Sequence, residues 1–272
     1  MPPQKTPILI EPSELEPRLT DHDLLIVDLC QSEDFREQRI PGSMYLGYST
    51  LVDGRKPAVG RLPSMNRLEL LATDLGLHKG LHVVAYDDEG GSRAARLVWT
   101  LYVLQHRRAS VLNGGIHAWL GENRPVTKKY TTPPSVDQVS YSIDGNMIAS
   151  RNYVLSRLGD MDLRLLDART REEYDGVRLL SNRGGHIPGA VNFNWLDAID
   201  PTRNFRLKSD CELTKMISQR NITPEHNIVV YCQTHHRSAH SWMMLQHLGY
   251  SKVRGYAGSW SEWGNDPDTP IE

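Results

Sequence analysis

The chain has 272 residues, of which 39% are hydrophobic and 24% are charged, and its formal net charge is −2 at pH 7. This composition is typical of a soluble globular protein, and the length allows one large domain or two of ordinary size. A net charge so near zero gives no reason to expect binding to nucleic acid or to an anionic membrane. No apolar stretch is long enough to span a bilayer, and we expect no signal peptide from the first residues.

Segments with the pattern of buried strands alternate with segments of helical periodicity. In the first half, strands are predicted near 24–28, 82–86 and 109–112, and helices near 64–75 and 92–106. In the second half, strands are predicted near 163–167, 227–231 and 252–254, and helices near 150–158, 210–219 and 238–248. This alternation predicts an α/β fold with a mainly parallel sheet flanked by helices in each half.

The two halves repeat each other. Asp28 and Asp167 each end an apolar run, and each half then reaches an Ile-Pro-Gly-small motif, at 40–43 and at 187–190. The match predicts tandem domains at residues 1–121 and 141–272, joined by an extended linker at 122–140. Because both halves keep the aspartate, we expect it to be structural, for example by accepting N–H bonds near the Ile-Pro-Gly turn. A catalytic role for Asp167 is the alternative.

A cysteine lies where one buried strand of the second half ends. The apolar run 228–231 leads into Cys232, a short polar loop follows, and a helix begins near Ser238. The carboxyl ends of strands in open α/β sheets border ligand crevices, and a helix N-terminus favours an anion. A thiolate is such an anion, so we expect the pKa of Cys232 to lie below the roughly 8.5 of a free cysteine. The sequence therefore predicts a nucleophile on an anion-binding loop.

The residues that follow the cysteine complete this predicted site. The cradle is predicted from the backbone N–H groups of Gln233, Thr234, His235, His236, Arg237 and Ser238. Arg237 adds a positive charge and can fork to the oxygens of an anion. The two histidines add N–H donors and, when protonated, further charge. They could instead bind a metal with Cys232, but tight loops rarely supply three ligands, so no metal is predicted.

The other two cysteines, Cys30 and Cys211, are interpreted as structural or incidental thiols. Three scattered cysteines do not make a disulfide framework, which indicates a reducing compartment. The expected location is the cytoplasm.

These features together resemble the rhodanese family of tandem-domain sulfurtransferases. The resemblance rests on Asp167-Ala168-Arg169, on the Gly-His-Ile-Pro-Gly-Ala run at 185–190, on Cys232 and on the Gly-Ser-Trp-Ser-Glu-Trp run at 258–263. The loop 232–238 is most similar to that of the rhodaneses of Azotobacter and Pseudomonas. The resemblance implies transfer of a sulfane sulfur from thiosulfate or a related donor to cyanide or a thiol. It implies a persulfide on Cys232, double displacement and no cofactor.

The resemblance also implies that the first domain is catalytically silent. Asp87 stands where the repeat would place a cysteine, and a carboxylate cannot accept a sulfane sulfur. Asp88 and Glu89 follow before Arg93 and its helix, so we expect the carboxylates to oppose any anion at that helix N-terminus.

Four residues outside the loop are candidates for substrate binding. They are Arg183, Glu173, Trp195 and Asp167. Arg183 lies in an insertion absent from the first half and could pair with an anionic donor. Trp195 could line the pocket or pack elsewhere. Glu173 stands where the mammalian members of the family carry an arginine that helps to bind the donor, and Thr234 replaces a basic residue of some thiosulfate enzymes, which leaves the physiological donor open.

Two other function classes remain as alternatives. Cysteine phosphatases of the Cdc25 type share this fold but carry five residues between cysteine and arginine, whereas Cys232 and Arg237 enclose four. The smaller ring suits a single sulfur better than a phosphate. A redox-sensing or binding module with an oxidisable Cys232 would need a resolving cysteine, and none is visible nearby. Thioredoxin and glutathione join cyanide as candidate acceptors, and a monomer is expected.

Overall fold

The computed structural model describes residues 6–35, 37–132 and 140–272. The described residues form two compact units. Unit 1 draws on residues 1–51, 63–143 and 200–207, and unit 2 on residues 52–62, 144–199 and 208–272. Each unit therefore includes a short segment from the other half of the sequence. Of the predicted linker 122–140, residues 133–139 lie outside the described residues.

Unit 1 is built on a parallel sheet, to which the described residues contribute five strands. The strands are β1 (Leu9–Ile10), β2 (Leu24–Asp28), β3 (Ser43–Tyr45), β4 (His82–Tyr86) and β5 (Ala109–Leu112), in the order β1-β5-β4-β2-β3. The helices are α1 (Pro12–Leu15), α2 (Met65–Asp74), α3 (Ser92–Val103) and α4 (Gly115–Gly121). Strand β4 lies between β2 and β5 and is buried along its whole length, as is typical of a parallel strand covered on both faces.

Unit 2 has a parallel sheet with the strand order β11-β10-β6-β7 among its described residues. These strands are β6 (Leu163–Asp167), β7 (Ala190–Asn192), β10 (Asn227–Tyr231) and β11 (Val253–Gly255). The short strands β8 (Ile199–Asp200) and β9 (Arg206–Leu207) form a separate pair, of which residues 200–207 belong to unit 1. The helices are α5 (Arg151–Leu155), α6 (Arg171–Tyr174), α7 (Asp210–Ser218), α8 (Arg237–His247) and α9 (Ser259–Trp263). Strand β10 is central, since it pairs with β6 on one side and β11 on the other.

The predicted α/β fold with two tandem, mainly parallel sheets is confirmed. All pairings within the two main sheets are parallel. Each predicted strand and helix is present, with ends that differ by a few residues. The elements that the sequence did not predict are short, such as β3, β7, α4 and α9. Among the described residues, no helix is long and apolar enough to cross a membrane.

The matching aspartates at the ends of β2 and β6 accept backbone N–H groups, as predicted for a structural role. The groups that donate are not those of the Ile-Pro-Gly turn. Asp28 accepts the N–H of Cys30 at 2.8 Å, and Asp167 accepts the N–H of Arg169 at 3.0 Å. The Ile-Pro-Gly turn is held by a tyrosine instead, since the N–H of Ile187 donates to the hydroxyl of Tyr231 at 3.2 Å. The expectation that the aspartate holds this turn is therefore wrong, because its oxygens are engaged two residues further along the chain.

Candidate active site

The loop after β10 begins with Cys232, whose side chain is completely buried. Helix α9 fixes the start of this loop through three hydrogen bonds to the loop backbone. The N–H of Cys232 donates to the Ser259 hydroxyl at 3.3 Å, and the Cys232 carbonyl accepts the N–H of Trp260 at 2.9 Å. The carbonyl of Gln233 accepts the N–H of Ser261, also at 2.9 Å. The position of the thiol therefore depends on the Gly-Ser-Trp-Ser run that the sequence repeat singled out.

Of the loop residues predicted to form a cradle, Thr234 and Ser238 make hydrogen bonds to the thiol. His235 has a left-handed backbone with φ of 55°, and its Nδ1 lies 2.7 Å from the Ser238 hydroxyl. Burial by itself raises the pKa of Cys232, but the positive charge of Arg237 lowers it. Hydrogen bonds from the Ser238 hydroxyl and from the backbone of Ser238 and Thr234 lower it further. The net effect is a pKa below the ordinary cysteine value, which favours the thiolate.

Arg237 is held by a carboxylate that the sequence did not pair with it. Its two Nη atoms donate to the two oxygens of Glu173 at 2.6 and 2.8 Å. Burial raises the pKa of Glu173, but the hydrogen bonds and charge of Arg237 bring it below its ordinary value. The Arg237 guanidinium, which was predicted to bind the oxygens of an anion from solution, thus binds both oxygens of Glu173 instead.

A second buried ion pair lies in the same group of charges. The guanidinium of Arg169 contacts the Asp167 carboxylate at 2.6 to 3.0 Å and donates to the Gly185 carbonyl at 2.8 Å. The two side chains are at most 1% exposed. Asp167 adds to the field at Arg237, and Arg169 adds to the field at Glu173. These contacts support a structural role for Asp167, because each of its oxygens is occupied by Arg169.

A segment from the first half of the sequence, residues 52–62, contributes to unit 2 beside the cysteine loop. Gly60 packs on the Thr234 backbone so closely that a Cβ at position 60 would overlap the Thr234 carbonyl. The Arg61 guanidinium forms an ion pair with Glu262 on α9. A cleft of about 510 Å³ borders the loop here and is lined by Lys56, Pro57, Val59, Leu180, Asn182, Gln233, Thr234, Ser261 and Asn265. This segment could not be predicted from the sequence, because nothing in residues 52–62 marks a long-range contact.

The remaining predicted residues are spread over unit 2. The Arg183 guanidinium donates to carbonyls of residues 263–269, including Thr269 at 2.9 Å, so its contacts are with the C-terminal segment and not with the cysteine loop. Trp195 packs edge-on against His240 of α8, with ring centroids 5.4 Å apart. Gln233 donates to the Leu180 carbonyl at 3.0 Å, and His236 is partly exposed. Donor binding by Arg183 or Trp195 stays a prediction that these contacts do not support.

The described residues hold no cluster of three or more His, Cys, Asp or Glu side chains that could bind a metal ion. The prediction that the site needs neither metal nor cofactor stays a prediction.

Unit 1 has a loop of the same kind, and its anion is Asp87. The Asp87 carboxylate is completely buried. One oxygen accepts the N–H groups of Glu89 and Gly91 at 3.0 and 2.8 Å, and the other accepts those of Arg93 and Ala94 at 2.8 and 3.0 Å. Burial and then the negative charge of Glu89 raise the pKa of Asp87, whereas the backbone N–H groups lower it. The expectation that carboxylates here oppose an anion is supported for Glu89, and the Asp87 carboxyl itself occupies the cradle.

The fold and the loops define an α/β protein in which each half holds one buried acidic side chain, Asp87 or Cys232, among hydrogen-bond donors of its loop. Both halves match the model of the rhodanese-like domain, over residues 11–122 and 150–266, and the chain belongs to this family, as its motifs predicted. It is 44% identical to a thiosulfate sulfurtransferase of Azotobacter vinelandii and 40% identical to one of Pseudomonas aeruginosa. Each match covers 98% of this chain and 97% of the relative.

The fold is also similar to that of a solved structure. SseA from Escherichia coli, described as a 3-mercaptopyruvate sulfotransferase with the rhodanese fold, has a TM-score of 0.81 at 23% identity. The match covers 94% of this chain and 99% of SseA.

The contact between Gly60 and Thr234 gives a first prediction. A Gly60→Ala variant should displace the Thr234 backbone and weaken a hydrogen bond that stabilises the Cys232 thiolate. We expect the midpoint pH of Cys232 alkylation by iodoacetamide to rise by roughly one unit. Gly145→Ala is the matched control, since a Cβ there meets nothing within 4 Å. An unchanged midpoint in Gly60→Ala would show that the loop does not depend on this contact.

The cradle of unit 1 gives a second prediction. In Asp87→Asn, an NH₂ group would replace one oxygen and face two N–H donors, so we expect the free energy of unfolding to fall by about 1.5–3 kcal/mol. Urea unfolding measures this change. Asp74→Asn, at the exposed end of α2, is the control and should change stability by less than about 0.5 kcal/mol. Equal stability of the two variants would contradict a stabilising role for the Asp87 carboxylate.

Proposed function

We propose that Cys232 carries sulfur as a persulfide between a thiosulfate-type donor and a thiophilic acceptor. The thiolate attacks the outer sulfur of thiosulfate, the S–S bond of the donor breaks, and sulfite leaves with the electron pair. The products are Cys–S–S⁻ and sulfite, so the charge is balanced. The prediction of a thiosulfate sulfurtransferase is confirmed by the names of relatives 44% and 40% identical over nearly the whole chain.

The observation that carries the persulfide proposal is the lowered pKa of a buried cysteine within an N–H cradle. A thiolate is the nucleophilic form, and burial alone would disfavour it. The donors from Thr234 and Ser238 that stabilise Cys–S⁻ would also stabilise Cys–S–S⁻, which carries the same single charge. The loop 232–238 contains no second cysteine, which favours transfer of the sulfur to an external acceptor. Cyanide, glutathione and thioredoxin remain proposed acceptors.

The phosphatase alternative finds less support in the geometry. A phosphate is bound by an arginine that can fork to its oxygens, and Arg237 is already forked to Glu173. The redox-sensor alternative needs a resolving thiol. Cys211 is exposed at the start of α7, and Cys30 is buried in unit 1. Sulfur transfer is therefore the function that the site supports best, with a monomeric, cytoplasmic enzyme as the accompanying proposal.

Intact mass measurement tests the intermediate. Incubation with thiosulfate should add the mass of one sulfur atom to the protein, and cyanide should remove it with formation of thiocyanate. Cys232→Ser should show no added mass and only background turnover, whereas the control Cys211→Ser should behave like the wild type. Double-reciprocal plots should be parallel, as for double displacement. Turnover that survives in Cys232→Ser would refute the proposal.

Replacement of Arg237 tests its effect on the thiol. Because the charge of Arg237 lowers the pKa of Cys232, Arg237→Ala should raise this pKa. The thiolate then forms only at higher pH, so the rising limb of the pH–rate profile for sulfur loading should move to higher pH. Arg178→Ala, which removes an exposed arginine of the same unit, is the control. A profile that moves equally in both variants would exclude a specific role for Arg237.

A further inference from the structure

The positive charge of Arg237 beside Cys232 is paired with the negative charge of Glu173. The proposed transfer of sulfur does not require this carboxylate. Arg237 supplies the positive charge that acts on the thiol, and Glu173 faces it with a full carboxylate. Asp167 and Arg169 form the neighbouring pair. The two arginines and the two carboxylates sum to no net charge, so the Cys232 thiolate makes the whole group negative. A site built only to attract anions would leave Arg237 without a carboxylate.

Burial makes the effect of Glu173 strong. The Glu173 side chain is 2% exposed, so water screens its charge little, whereas the Arg237 side chain is 20% exposed. Both Nη atoms of Arg237 are engaged by Glu173. An anionic donor that approaches Arg237 therefore meets a guanidinium whose charge is offset and two of whose five N–H groups already donate to Glu173.

We infer that Glu173 is a specificity-determining residue that acts through Arg237. Its carboxylate offsets the charge of Arg237, so a second negative charge on the sulfur donor adds little to the rate at which Cys232 is loaded. The inference rests on the proposed function. Thiosulfate carries two charges, one on its outer sulfur and one on its sulfonate group. A thiosulfonate such as methanethiosulfonate has the same S–S bond but only one charge. The Arg237–Glu173 pair is neutral overall and should attract the sulfonate charge of thiosulfate only weakly. The wild-type enzyme should therefore load sulfur from the two donors with similar kcat/KM.

Glu173→Gln separates the charge of this residue from its place in the fold. Glu173 also closes a capping box at the start of α6, where its carboxylate accepts the N–H of Thr170 at 3.1 Å. Glutamine fills the same position of a capping box and keeps one oxygen for Arg237. Glu172→Gln is the matched control, since Glu172 is the exposed neighbour on the same helix.

The first experiment compares the two donors by kcat/KM for sulfur loading. Thiosulfate releases sulfite and methanethiosulfonate releases methanesulfinate, each with formation of one persulfide. In Glu173→Gln, we expect kcat/KM for thiosulfate to rise relative to that for methanethiosulfonate on the order of tenfold. This is the effect of one additional unit charge about 10 Å away at an effective dielectric constant of about 20. Glu172→Gln should leave the ratio unchanged. An equal change for both donors in Glu173→Gln would overturn the inference, because Glu173 would then only hold the geometry.

The second experiment needs no sulfur donor. The midpoint pH of iodoacetamide alkylation of Cys232 should fall in Glu173→Gln, on the order of one unit, because the charge of Arg237 is no longer offset. A midpoint that stays at the wild-type value or rises would overturn the inference. If wild-type Cys232 gains no sulfur from either donor, the proposed function fails, and the alkylation midpoints still test Glu173.

A measurement on the wild type covers the case in which Glu173→Gln does not fold. With a neutral ion pair, the second-order rate of loading by thiosulfate should depend on ionic strength no more steeply than loading by methanethiosulfonate. A steep loss of thiosulfate loading alone at high salt would show that the site attracts the dianion in spite of Glu173, and would overturn the inference.

Discussion

Backbone N–H groups that converge on one buried anion at the end of the central strand are the interaction on which both units depend. In unit 1 the anion is the Asp87 carboxylate, with four N–H donors at 2.8 to 3.0 Å. In unit 2 it is Cys232, with donors from Thr234 and Ser238. Each loop follows a strand with a neighbour on both sides, β4 in unit 1 and β10 in unit 2. A helix, α3 or α8, starts directly after the loop. A buried charge would be costly in either loop without these donors.

The other buried charges of unit 2 follow from the same constraint. Arg169 and Asp167 are almost completely buried, and each would be destabilising without the other. Glu173 is buried because Arg237 accompanies it, and Arg237 in turn lies where it can act on the thiol. Because an unpaired buried charge is destabilising, each of these charged side chains needs a partner of opposite charge beside it. This coupling is the physical basis of our inference that Glu173, which contacts Arg237, influences the chemistry of the sulfur.

The fold could be predicted from the sequence because the strands around 24–28, 82–86, 163–167 and 227–231 are long apolar runs in a repeated order. The Cys232 loop could be predicted because a strand end and a helix start are local features. The Glu173–Arg237 pair could not, because 64 residues separate its members. The one local signal was the Thr170-x-x-Glu173 capping box, which fixes the position of Glu173 but not its partner. The contact of Gly60 with Thr234 left no local signal at all.

The two cradles differ in what their anions can become. Each oxygen of the Asp87 carboxyl accepts two N–H groups, so the cradle of unit 1 is filled, and a carboxyl group cannot take up a sulfur atom. A cysteine thiolate that accepts a sulfur atom under the proposed mechanism remains a single anion, with its charge moved outward by one atom. The same donors then serve the empty and the loaded enzyme, so neither state requires the buried loop to gain or lose a net charge. If the loop stabilises the thiolate and the persulfide anion equally, it favours neither loading nor unloading of Cys232. The chemistry of the donor and the acceptor then sets the direction of sulfur transfer.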